Sequence, residues 1–211
     1  MESKTQGKIL VLNGSPHAHG TTRKAIDEVA AVLEKEGFLV TVHTLGNLNL
    51  PGCNACGACK NNGKCVIDDE VNKLALEFCE ADGVILASPV YYAAPNGSFL
   101  AILNRLFYST HFDKTMKVGA SIVAARRAGL SASFDVLNKY FSISGMPIAS
   151  AYYWNQIHGK SYDEAEGDLE GLDTMRSLGA NMAFLIKAIK DAKEKYTPPA
   201  KPKKVYTSFI R

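Results

Sequence analysis

Three observations predict an α/β fold for this chain, a three-layer, doubly wound, five-stranded parallel sheet of order 2-1-3-4-5. Short apolar runs alternate with segments of helical periodicity from residue 8 to residue 195, the pattern of right-handed βαβ units. The count is five strands and five helices, and this order is the common arrangement for that number. The 211 residues, 46% of them hydrophobic, suffice for one well-buried core and are few for two. Residues 1–196 are therefore read as one domain, and 197–211 as a basic, Pro/Lys-rich C-terminal arm.

Each element has its own signal. "KILVLNGS" (8–15) is a buried strand that runs into an Asn-Gly-Ser turn. The next segment sets Ile26, Val29, Ala30 and Leu33 at helical spacing and stops at Gly37. "FLVTVHTL" (38–45) is β-branched and aromatic, a second strand. "DDEVNKLALEFCEAD" (68–82) is a helix whose acidic first turn suits the helix dipole, and Cys79 near its end reads as ordinary core. "GVILASPVYY" is the third strand, "NGSFLAILNRLFYST" (96–110) the third helix, and "KVGASIVAARRAG" (117–129) the fourth strand with its exit loop. A helix over "SASFDVLNKYFSISG", a fifth strand over "MPIASAYYW" (146–154) and a long helix from Glu164 to Lys195 complete the chain.

Composition narrows the function classes. The net charge of +3 is concentrated in the C-terminal segment, where a solvated helix end and arm explain it, so no nucleic-acid partner is expected. No apolar run approaches the roughly 20 residues of a membrane span, and the N-terminus has no apolar signal-type segment. A cytoplasmic location is expected. Thiols stay reduced there, so a tight cysteine cluster reads first as a metal or redox site.

In a doubly wound sheet, ligands bind beyond the carboxyl ends of the strands. The turn after the first strand, "NGSPHAHGTTRKAI", brings the hydroxyls of Ser15, Thr21 and Thr22 to a helix N-terminus, a cradle for a phosphate or else a hydroxyl-rich helix cap. Neither a dinucleotide fingerprint nor a P-loop is present. The turn after the third strand carries Tyr91 and Tyr92 to the sheet edge, where aromatics can wall a flat ring. The turn after the fourth strand offers Arg126 and Arg127, for a ligand or for surface ion pairs.

Four of the five cysteines, Cys53, Cys56, Cys59 and Cys65, fall within thirteen residues as C-x2-C-x2-C-x5-C. Four thiolates in one loop match a [4Fe-4S] cluster. A tetrahedral zinc usually draws on paired knuckles set further apart, so the compression favours the cluster over zinc, and a metal-free thiol loop stays open.

Taken in order, "LNGSPHAHGTT", "CNACGACKNNGKCVIDDE", "ADGVILASPVYYAAPNG" and "AARRAG" resemble the flavodoxin-like NAD(P)H-dependent FMN reductases. The cysteine loop is similar to that of their iron-sulfur flavoprotein branch. The resemblance covers roughly residues 8–160 and implies that Ser15, His17, Thr21 and Thr22 stand at phosphate-binding positions, with His17 where an arginine is common. It implies that Pro89, Val90, Tyr91, Tyr92 and Asn96 border the isoalloxazine, that Ala125, Arg126 and Gly129 lie near its pyrimidine edge, and that Cys53, Cys56, Cys59 and Cys65 hold a [4Fe-4S] cluster. In the helix after the second of these turns the chain reads "LAILNR" (100–105) where many relatives have Lys-Ala-Phe-Ile-Asp-Arg. Trp154, Asn155 and His158 are expected to leave the end of the fifth strand, either closing over a flavin or forming an ordered loop.

The implied function is an FMN-dependent oxidoreductase that uses NAD(P)H to reduce quinones, flavins, nitro compounds or similar acceptors. The alternative is an electron carrier that exchanges electrons with ferredoxin through a cluster and FMN. A homodimer or homotetramer is expected in either case, with "PGCNACGACKNNG" and "YYWNQIHG" near the subunit contact.

Overall fold

Gly7–Asn13 forms β1, and its side chains divide between two cores. Ile9 and Val11 enter one hydrophobic cluster, Leu10 and Leu12 the other, because successive side chains of a strand point to opposite faces. A near-continuous apolar strand is what a sheet covered on both faces requires. The computed structural model describes residues 5–200, 205–207 and 209, so the arm expected at 197–211 lies partly outside the described residues.

The chain continues through α1 (Thr21–Lys35), β2 (Phe38–Thr44), a short α2 (Cys59–Asn62), α3 (Glu70–Glu80) and β3 (Gly83–Tyr91). Then come β4 (Ala94–Pro95), α4 (Gly97–Ser109), β5 (Val118–Ala125), α5 (Leu130–Ile143), β6 (Gln156–His158), a 3-10 turn (Glu164–Gly167) and α6 (Leu169–Lys195). The sheet runs β2-β1-β3-β5-β6, the expected order, and these strands pair in parallel. Val29 and Leu33 of α1 and Met175, Leu178 and Met182 of α6 cover one face. Residues of α3, α4 and α5, among them Phe78, Phe99 and Phe141, cover the other. No helix of the described residues is long and apolar enough to cross a membrane.

Two local departures matter for the site. β3 folds back on itself, with Val90 opposite Pro95 and Tyr91 opposite Ala94 in an antiparallel pair. The two-residue turn between them, Tyr92 and Ala93, has φ of 49° and 58°, the left-handed geometry that suits the sheet twist and normally favours Asn or Gly.

The other departure corrects the expected fifth strand. Residues 146–154 do not form it; Ile148 makes one isolated bridge to Gly119, and the strand proper is Gln156–His158. The chain leaves the sheet after Ala149 and rejoins it at Asn155, whose carbonyl accepts from the Val123 N–H at 3.0 Å. The Asn155 amide donates to the Ser121 carbonyl at 3.0 Å and its Oδ1 accepts from the Ala151 N–H at 3.3 Å, which closes the excursion from inside. Tyr152, Tyr153 and Trp154, which read as strand residues, are exposed on it.

Cys79 is a smaller correction. It is exposed, because the stripe that α3 buries is Val71, Leu74 and Phe78 and Cys79 is one position past it.

Candidate functional site

The turn after β1 leads into the N-terminus of α1, where the helix dipole favours an anion. The cap residue of α1 is Gly20, which offers no side-chain hydrogen bond, so the hydroxyl-cap reading does not hold, and among the described residues the first N–H groups of the helix have no side-chain partner. The first turn contains no acidic residue, and Asp27 further along is neutralised by Arg23 at 2.7 Å. Ser15 and Thr22 are buried against this turn. The Ser15 hydroxyl accepts from the His17 N–H at 3.2 Å, which leaves its proton for an incoming oxygen. Thr21 differs, because its hydroxyl donates to the Ser161 carbonyl at 3.1 Å, which leaves its backbone N–H as the group it could offer. His17 is exposed.

Asn96 fastens this turn to the rest of the crevice. Its amide donates to the Gly14 carbonyl at 2.8 Å and to the Gly46 carbonyl at 3.3 Å, its Oδ1 caps α4 by accepting from the Ser98 N–H at 3.1 Å, and its own N–H donates to Ser88 Oγ at 3.0 Å. The turns after β1, β2 and β3 thus meet at one buried side chain. Gly46 must be glycine, since a Cβ there would overlap the Gly14 carbonyl.

The buried part of β3 ends at Ser88; Pro89 and Val90 are half-buried, and Tyr91 and Tyr92 stand exposed on the hairpin. Gly129, at φ 88°, packs against this hairpin so closely that a Cβ would meet Ala93 Cα at 2.9 Å and Val90 Cγ1 at 3.0 Å. That contact joins the loops after β3 and β5. Ala125 is half-buried at the end of β5, while Arg126 and Arg127 are exposed and have no ion pair among the described residues. His158 pairs in register with Ala125, its N–H donates to Asp168 at 2.7 Å, and its ring lies 3.4 Å from the same carboxylate. Of the three residues expected beyond the fifth strand, His158 alone ends it; Asn155 is buried structure and Trp154 lies on the excursion before it.

The cysteine loop forms a second concavity. Cys53, Cys56, Cys59 and Cys65 line one solvent-open pocket, together with Arg105 and Tyr108 of α4. All are free thiols; Cys59 is buried, Cys65 half-buried and Cys53 and Cys56 exposed. Among the described residues no three His, Cys, Asp or Glu side chains are placed to hold a single metal ion. The four sulfurs share a pocket without converging on one point.

Arg105 has a role in this pocket that its place in the sequence does not announce. It is 1% exposed, its guanidinium forks onto Asp69 at 2.7 and 2.9 Å, and it also donates to the Pro51 and Ile67 carbonyls and, at 3.4 Å, to Cys65 Sγ. Its Nε–H is buried with no partner among the described residues, which costs about 1–3 kcal/mol unless something accepts it. Burial disfavours the ionised form of Asp69, but Arg105 and the Val71 N–H outweigh it and hold the carboxyl below its usual range. A signal was available: Arg105 interrupts the apolar series Phe99, Ile102, Leu103 and Leu106, and a cation on a buried helix stripe needs partners.

The two concavities share α4. Asn96 caps it beside the anion turn, and Arg105 lies nine residues on, roughly 13 Å along the axis.

The doubly wound parallel sheet, in the order β2-β1-β3-β5-β6, defines a flavodoxin-like fold. Residues 7–159 match the family described as NADPH-dependent FMN reductase, and the chain belongs to that family. It is 30% identical over 191 residues to an iron-sulfur flavoprotein of Methanocaldococcus jannaschii, with 87% of this chain and 99% of the relative covered. Among solved structures it is similar to RosB with a bound 8-demethyl-8-formylriboflavin-5'-phosphate, at TM-score 0.71 and 18% identity, covering 97% of this chain and 94% of that one. A flavodoxin from the domain Archaea superimposes with TM-score 0.59 and 15% identity, covering 85% and 99%. Both structural likenesses concern the fold.

Proposed function

We propose that the protein is an FMN-dependent oxidoreductase whose cysteine pocket holds a [4Fe-4S] cluster, so that its partners include one-electron carriers such as ferredoxin. The observation that carries this reading is the common pocket of Cys53, Cys56, Cys59 and Cys65, whose wall includes Arg105, hydrogen-bonded to Cys65 Sγ. A zinc ion needs four ligands converging at about 2.0–2.3 Å on one centre, and the described side chains are not so placed. A cluster offers a separate iron to each thiolate, so it does not require the four sulfurs to meet at one point. The relative in Methanocaldococcus jannaschii, named an iron-sulfur flavoprotein, supports the same assignment.

The residues have separate tasks. Ser15, Thr22 and the N–H groups opening α1 bind the FMN phosphate, and His17 at the rim and the Thr21 N–H complete the cradle. Pro89, Val90, Tyr91 and Tyr92 border the ring, with Asn96 holding their loop in place, and Ala125, Arg126 and Gly129 close its other edge. FMN supplies electron transfer in pairs or singly, and the cluster supplies single-electron transfer.

A second reading, NAD(P)H-driven reduction of quinones, flavins or nitro compounds, is favoured by the family description and by the exposure of Tyr91 and Tyr92, which leaves a face for a stacked nicotinamide. Anaerobic reduction of the purified protein by NADH, by NADPH and by reduced ferredoxin separates the two. Faster reduction by ferredoxin is expected. Turnover of a quinone with NAD(P)H and none with ferredoxin would favour the second reading.

A homodimer or homotetramer belongs to the same proposal. The exposed Tyr152, Tyr153 and Trp154 give an apolar surface suited to a subunit contact, and light scattering at micromolar concentration tests it.

A further inference from the structure

Resting on the cluster reading, we infer that Arg105 is a positioning residue that sets the reduction potential of the iron–sulfur group through Cys65, with Asp69 fixing the guanidinium in place. The pocket is asymmetric. Among the described residues Cys65 is the one cysteine of the four whose sulfur receives a side-chain hydrogen bond, from Arg105 Nη2 at 3.4 Å. Its backbone is held as firmly, since its N–H donates to Asn72 Oδ1 at 3.2 Å and its carbonyl accepts from Asn72 Nδ2 at 3.1 Å.

Asp69 performs two jobs at once. Its carboxylate takes both prongs of the Arg105 fork, and the same side chain caps α3 by accepting from the Val71 N–H at 3.1 Å. The start of α3, the end of the cysteine loop and the middle of α4 are therefore locked to one guanidinium. A planar fork so held cannot swing away from Cys65.

The electrostatic consequence has a definite sign. Reduction adds negative charge to the group that Cys65 ligates, and a cationic N–H on a ligand sulfur stabilises that form more than the oxidised one. Arg105 raises the potential. Asp69 lies behind the arginine and tempers the effect, so neutralising it moves the potential the other way.

The test is a redox titration of anaerobically reconstituted protein, followed by electron paramagnetic resonance, on three variants. Arg105→Met with Asp69→Asn removes the donor without leaving a lone buried charge and keeps an Asn able to cap α3. At wild-type iron content, its potential is expected to fall by an amount equal to a roughly tenfold weaker reduction equilibrium, about 59 mV for a one-electron couple. Asp69→Asn alone is expected to raise the potential, and Arg105→Lys, which keeps the charge without the fork, to shift it less than the double variant does. An unchanged potential in both Asp69→Asn and the double variant, at wild-type iron content, overturns the inference. Should the double variant not accumulate, a fall or no change in Asp69→Asn overturns it alone. A wild type that holds no iron after reconstitution overturns the cluster reading itself, and the inference with it.

Discussion

The side-chain amide of Asn96 donates to the main-chain carbonyl of Gly14 across 2.8 Å, so the cap of α4 is fastened to the turn proposed to receive the phosphate. One residue thereby couples helix stability to ligand geometry. Asn96→Ala removes a cap and leaves the Gly14 and Gly46 carbonyls short of a donor, and is expected to cost about 1–3 kcal/mol in chemical denaturation. FMN affinity should fall with it, as measured by flavin fluorescence. Asn96→Asp restores the cap but not the donors, so it should recover stability in part while still binding FMN weakly.

The phosphate cradle makes a sharper distinction. Ser15→Ala with Thr22→Ala should weaken FMN binding by about 2–4 kcal/mol if each hydroxyl makes a charge-assisted hydrogen bond. Thr21→Val breaks the bond to the Ser161 carbonyl and should instead lower stability by about 1 kcal/mol with a smaller effect on FMN. Equal affinity in the double variant and the wild type would remove Ser15 and Thr22 from the site.

Asp69 gives the protein an acid sensitivity of known sign. Its folded-state carboxyl is held below the usual range, so its contribution is complete above the unfolded carboxylate pKa of about 3.9 and drains away as pH falls through the lower folded value. Asp69→Asn should be less stable than the wild type near neutrality, and the gap should narrow below about pH 4. Denaturation curves at stepped pH check this, and a constant gap would contradict it.

The β3–β4 hairpin turns on two non-glycine residues at positive φ. Replacing Ala93 by Gly relieves a left-handed Cβ, a cost of roughly 1 kcal/mol, offset in part by the added freedom of glycine when unfolded. A small rise in melting temperature is expected, and a fall would mean that the Ala93 methyl packing on Gly129 outweighs the strain.

Much of this architecture was legible because the apolar runs were unambiguous. β1, β3 and β5 are buried on both faces, and no other element fits such runs between helical patterns. The fifth strand was not legible, because Tyr152, Tyr153 and Trp154 carry strand propensity but face outward, and a buried Asn155 closes the detour through contacts no periodicity encodes. In the site, the anion turn and the cysteine spacing could be read locally. The Arg105–Asp69 pair could not, since it joins residues 36 apart and depends on how α3 and α4 pack. Thr21 also stood out as a phosphate ligand by its hydroxyl, which the structure gives to Ser161, 140 residues away.

The central claim, flavin and cluster on one chain, is tested most directly by the composition and visible spectrum of anaerobically purified and reconstituted protein. FMN, iron and acid-labile sulfide are expected in a ratio of about 1:4:4, with flavin bands over a broad cluster absorption. Replacing any one of Cys53, Cys56, Cys59 or Cys65 by Ala should abolish the broad absorption and leave the flavin bands. Stoichiometric FMN with neither iron nor sulfide, and cysteine variants whose spectra match the wild type, would contradict it.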